Sequence, residues 1–160
     1  MVNYILILMT KLNTLLNQIE TYIADFEKTN LAVTTSTVGW QIDHSFLVIN
    51  EVTAQIKKSN PIDYKWKFNK NRFLIQTILR KIPRGKVRAP IEVQPFNEIS
   101  KEHLKTELEI TRKNIRELKS LEAKKYFTHP LMGNLNLKKT IDFLELHTKH
   151  HLKIIEDMLA

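Results

Sequence analysis

Residues 137–159, LKKTIDFLELHTKHHLKIIEDML, decide how the rest of the chain is read. The run holds neither Gly nor Pro and is rich in Leu, Ile and Lys, which predicts a helix. Asn136 stands where an N-cap belongs. A seam recurs at 140, 144, 147, 151, 154 and 158, occupied by Thr, Leu, His, His, Ile and Met. Successive helical residues turn by ~100°, so His147 and His151 fall ~40° apart and one turn above each other. Burying an unpaired polar group costs ~1–3 kcal/mol. Two imidazoles in places that want aliphatic side chains therefore need a shared reason, and one metal ion would supply it.

A third ligand has to come from another segment. A second helix is predicted from Val38 or Trp40 to Lys58, stopping before Asn60-Pro61. Ile42, Phe46, Ile49 and Ile56 form one apolar face, and Trp40, Leu47, Val48 and Val52 another, so this helix is central in its bundle. His44 lies between Trp40 and Leu47 and points at protein. Alone it reads as a hydrogen-bonded core histidine; beside the C-terminal pair it is the third candidate ligand. Glu51, two turns on and on roughly the same face, is a candidate to orient a ligand or act as a base. Asp43 is ~100° away from His44 and serves another helix or solvent. His150 lies ~60° from His147 on the side opposite His151, so it flanks the site or faces another helix rather than completing the set. His129 reads as part of the lead-in to the last helix, in preference to a place at the mouth of the site.

The remaining chain reads as two more helices and a long connection. Ile5, Leu8, Met9, Leu12, Leu15, Leu16, Ile19, Tyr22, Ile23 and Phe26 make one apolar stripe. Thr34-Thr35-Ser36-Thr37 offers N-cap hydroxyls, and Gly39 marks a break. Residues 60–98 hold Pro61, Pro83, Pro90 and Pro95 and read as an extended crossover with a short helix over 73–81. The crossover carries a basic cluster of Arg80, Lys81, Arg84, Lys86 and Arg88, and Phe68, Phe73, Val87, Val93 and Phe96 are suited to pin it down. Ser100 caps a third long helix with Leu104, Leu108, Thr111, Ile115 and Leu118 inward. Residues 127–134 read as a loop, and no internal repeat is visible. These elements predict an all-α fold, a four-helix bundle with a long crossover between helices 2 and 3, as a single domain over 1–160.

Composition narrows the chemistry. Three glycines in 160 residues disfavour a sandwich or barrel. No cysteine is present, so thiolate nucleophiles and Cys-ligated zinc are excluded, and any metal rests on His and carboxylate. The lack of disulfides fits a cytoplasmic protein. The apolar run Tyr4–Met9 is too short to span a bilayer and starts a helix. The net charge of +8 is compatible with nucleic acid, an acidic surface or an anionic small molecule, and most simply with a solvated lysine-rich surface. Against nucleic acid, Trp66, Phe68 and Phe73 follow no stacking-platform pattern. No membrane partner is expected.

Trp40-Gln-Ile-Asp-His44, together with His129-Pro-Leu-Met-Gly133 and His147-Thr-Lys-His-His151, resembles segments of the DinB/YfiT-like superfamily. That resemblance implies an up-down-down-up bundle, a homodimer, and a divalent metal, zinc or nickel, held by three histidines at positions matching His44, His147 and His151. It also implies a metal-dependent hydrolase or a transferase using a small, anionic thiol as co-substrate. The alternative is a non-enzymatic metal-binding or stress-related binding protein.

Overall fold

One junction occurs twice along the chain: a β-hairpin whose second strand runs straight into a long helix. The computed structural model describes residues 2–85, 93–95 and 98–160. In the first half, α1 (Val2–Thr21) passes through a 3-10 turn into β1 (Thr29–Asn30), β2 (Thr34–Thr37) and α2 (Val38–Lys58). The crossover holds α3 (Lys70–Phe73), which continues as a π-helical stretch over Leu74–Leu79. In the second half, α4 (Lys101–Leu118) leads into β3 (Tyr126–His129), β4 (Gly133–Asn136) and α5 (Leu137–Leu159).

The all-α expectation is overturned, and with it the DinB/YfiT-like four-helix bundle of up-down-down-up order. Among the described residues, five helices are combined with two separate two-stranded antiparallel sheets. The strands run for only two to four residues, too few for alternation to register as a period. Thr34–Thr37, read as capping hydroxyls, is also a β-branched run suited to a strand. It pairs Thr29 with Thr37 and Asn30 with Thr34, with an irregular register between them. The Asn30 side chain accepts from the Ala32 amide at 3.2 Å and shapes the turn. Residues 127–134, expected as a loop, belong to the second hairpin, which runs in register from Tyr126↔Asn136 to His129↔Gly133. Its turn closes on Gly133 at φ +65°, a left-handed backbone that a side chain would strain.

Gly39 is not a break. It lies in the first turn of α2, donates its N–H to the Phe26 carbonyl at 2.7 Å, and is held against that segment. A Cβ there would meet the Phe26 oxygen at 2.9 Å and Ile99 Cγ2 at 3.1 Å. Helix starts are capped by side chains. Thr37 Oγ1 accepts from the Trp40 amide at 3.0 Å, Ser100 Oγ from His103 at 3.1 Å, and Asn136 Oδ1 from Lys139 at 3.1 Å.

α2 packs on α4 and α1 on α5, while α2 and α5 lie against each other. The halves correspond in element order, and the pairings correspond too, although the residues show no repeat. Leu12, Leu16, Ile42, Phe46, Ile49, Leu104, Ile115, Leu144 and Ile155 are fully buried in one core, each contributing ~1.5–3 kcal/mol. The crossover is tied to α5 by Arg80–Asp142 at 2.6 Å and Arg84–Asp157 at 2.7 Å. Lys86 and Arg88 of the basic cluster, with Val87, Pro90 and Phe96, lie outside the described residues. No described helix is long and apolar enough to cross a membrane.

Candidate metal centre

The contact between α2 and α5 brings His44, His147 and His151 together. Their ring centroids are 5.1 Å (44–147), 4.6 Å (44–151) and 4.5 Å (147–151) apart. One nitrogen from each lies within 4.8 Å of the other two. Nitrogens sharing a tetrahedral ion at 2.0–2.1 Å sit about 3.4 Å apart, a gap that side-chain torsions can close.

Two rings have their tautomer set by partners that only accept. His44 Nδ1 donates to the Val93 carbonyl at 2.6 Å, and His151 Nδ1 donates to Gln41 Oε1 at 2.6 Å. Each Nε2 is thereby left with a free lone pair, the arrangement by which an outer partner orients a ligating imidazole. His147 differs. Its Nδ1 is buried without a hydrogen-bond partner among the described residues. A buried imidazole nitrogen left orphaned, on a ring beside two oriented imidazoles, fits a metal ion. His44 and His151 are buried, whereas His147 keeps some exposed surface, none of it at Nδ1.

Burial sets the charge state. It holds His147 and His151 well below the ordinary histidine value, and each is pushed further by neighbouring imidazoles. Burial also lowers His44, against the opposing pull of the Val93 hydrogen bond and of Asp43. The cluster is therefore neutral at pH 7, the form that ligates metal.

Around the cluster, Trp40 stacks on His44 with centroids 4.9 Å apart, and Phe143 lies 5.7 Å from His147. His150 stands edge-on to His151 at 5.0 Å, outside the converging set. His129 acts on its own hairpin. Its Nδ1 accepts from the amides of Leu131 and Met132, at 3.1 and 3.3 Å, and holds the turn. Burial pushes its pKa down to about 4, consistent with a ring that accepts. Glu51 is not in the cluster; its carboxylate accepts from Gln55 Nε2 at 2.8 Å. Asp43 turns to α4 and meets His103 Nε2 at 2.9 Å.

Gln41, the Val93 carbonyl and His103 were missed by sequence reasoning. Gln41 is three residues before His44 on a helix, a spacing that could have flagged it. A backbone acceptor such as Val93 leaves no trace in residue type.

No family model, no curated protein and no solved structure matches this chain. The DinB/YfiT-like resemblance is therefore withdrawn on two grounds, the hairpins and the lack of any match. The hydrolase and thiol-transferase activities were implied only by that family and fall with it. The three-histidine cluster stands without the family, because it rests on geometry.

Proposed function

We propose that this chain is a transition-metal-binding protein in which His44, His147 and His151 hold one divalent ion. The observation that carries the reading is the convergence of one nitrogen each from His44, His147 and His151, with Nδ1 of His147 orphaned and those of the other two engaged. The donor set, all neutral nitrogen, favours zinc or nickel over magnesium or calcium, which take oxygen. Three neutral ligands would leave the ion's charge undiminished and a position free for a small anionic ligand, so a bound ion would act as a Lewis acid. Gln41 and Val93 would orient two of the ligands, and Trp40 and Phe143 would keep the surroundings apolar. Glu51 is not a ligand in this reading.

The test is elemental analysis of protein purified without a His tag, alongside His147→Ala and His151→Ala. Near-stoichiometric zinc or nickel is expected in the parent and little in either variant. Metal-free parent that also fails to take up added zinc or nickel would refute the reading.

A further inference from the structure

The crossover helix turns Ile75 to the core but leaves most of its large apolar residues outside and two polar ones within. A surface helix normally turns apolar residues to the core and polar ones to water. Here Arg72 and Gln76 face the protein, 7% and 3% exposed. Arg72 Nη1 donates to the Asn134 carbonyl at 2.9 Å, and Gln76 Nε2 to the Lys139 carbonyl at 2.8 Å. Phe73, Leu74, Ile78 and Leu79 are on the exposed side, Ile78 at 58%. The i→i+5 bonds of a π-helix bring residues four and five apart onto a common side, so Phe73, Leu74 and Ile78 form one stripe.

The stripe continues beyond the helix. The Phe68 ring lies 6.1 Å from that of Phe73, and Trp66, 68% exposed, stacks against the buried Arg72 at 5.9 Å. Leu131, exposed at the tip of the second hairpin, is held beside it by the amides of Asn69 and Asn71. An apolar surface of this extent, presented on a helix whose polar side is turned inward, marks a docking surface.

Charge says what it docks to. Residues 60–85 contain seven Lys and Arg against one Asp, a balance of +6 out of the chain's +8. Arg80 and Arg84 face carboxylates of α5. Lys65, Lys67, Lys70 and Lys81 are exposed and form no ion pair among the described residues. A second copy docked on this face would bring two such clusters together and be repelled. A nucleic acid would meet the cations but has nothing to bury Leu74, Ile78 and Leu79. A bilayer carrying anionic phospholipid offers both, phosphates for the lysines and an acyl boundary for the aromatics and aliphatics. We propose that the outer face of α3 with residues 62–79 docks the protein on the surface of an anionic phospholipid membrane. Attachment through one face needs no spanning helix, and long lysine side chains beside inserted rings reach back to the headgroups.

The full-length protein is mixed with phosphatidylcholine vesicles, with and without phosphatidylserine, and sedimented. It is expected to pellet with the phosphatidylserine vesicles at low salt, to stay in solution with pure phosphatidylcholine, and to be released at high salt. The double variant Phe73→Asn/Ile78→Asn is expected to bind on the order of tenfold more weakly or worse. Lys65→Ala/Lys67→Ala is expected to weaken binding by roughly 30-fold, from ~1 kcal/mol per cation. Both variants should keep the parent's circular dichroism, which separates lost binding from lost fold. No pelleting with phosphatidylserine vesicles, equal pelleting with both lipids, or unchanged binding by either variant would each overturn the proposal. So would a concentration-dependent dimer or single-stranded oligonucleotide binding that Phe73→Asn/Ile78→Asn abolishes while vesicles recover no protein.

Discussion

The two helix–hairpin–helix halves are alike in order and unlike in what their histidines do. The first half gives the centre one imidazole, His44, oriented by a carbonyl from the crossover. The second gives two, one turn apart, and adds His129 and His150 around them. The hairpins differ in the same way. The first is a threonine strand closed by an asparagine turn, and the second is held by an imidazole that accepts two amides. A shared architecture thus supports an unequal load of titratable groups, and the load lies mainly in residues 126–159.

Acid is expected to expose that inequality most strongly. Burial holds His44, His129, His147, His150 and His151 below the ordinary histidine value. The unfolded chain protonates them near pH 6.5 and the folded chain resists, so below that pH the unfolded state binds more protons. The metal-free protein should hold full stability above about pH 6.5 and lose it as pH falls, with the His129 share running down to about 4. Asp43 acts in the opposite sense, since burial raises its carboxyl and acid relieves that cost. The thermal midpoint of metal-free protein is expected to drop by on the order of 10 °C between about pH 7 and pH 5. His147→Phe/His151→Phe should flatten that slope more than His44→Phe; equal flattening would break the comparison.

Chelation comes next. At free metal of about 1,000 times Kd, an ion bound only by the folded state adds ~4 kcal/mol. Stripping it at pH 7 should lower the parent's thermal midpoint by about 10 °C and leave His44→Ala and His151→Ala unmoved. A His44→Ala protein that still responds would retain a centre built from the second half alone.

The two glycines at the hairpin ends should separate next. Gly39→Ala drives a methyl toward the backbone oxygen of Phe26, and a loss of ~2–3 kcal/mol is expected in denaturant titration. Gly133→Ala has room, with its nearest neighbour Asn69 Nδ2 at 3.7 Å, and loses only ~1–2 kcal/mol through its positive φ. The reverse order would mean that the first junction yields. Last, Gln41→Leu removes the acceptor that orients His151 from the opposite helix. Metal affinity measured by competition should fall 10- to 100-fold, about 1.4–2.7 kcal/mol, with the apo fold retained.

Helices were legible because their signals are long. The stop before Asn60-Pro61 and the caps at Ser100 and Asn136 are where the residues put them. The hairpins were not legible, because Thr34–Thr37 satisfies the rule for a cap and the rule for a strand, and Thr37 obeys both. The fold class was misjudged for that reason. Gly39 misled because glycine marks breaks and close approaches alike. At the centre, the spacing of His147 and His151 and the place of His44 between Trp40 and Leu47 were readable from helical geometry. What holds His44 and His151 in position was not, since one partner is a backbone carbonyl and the other lies 110 residues away.

The clustered imidazoles come from both sides of the crossover, and each half keeps its own hairpin and cap. Cutting the chain between residues 59 and 100 would give two fragments whose reassociation through the shared core would be strengthened by the ion that His44, on one fragment, would share with His147 and His151 on the other. Such a pair would report free zinc or nickel through complementation, provided that one fragment keeps Val93, whose carbonyl orients His44.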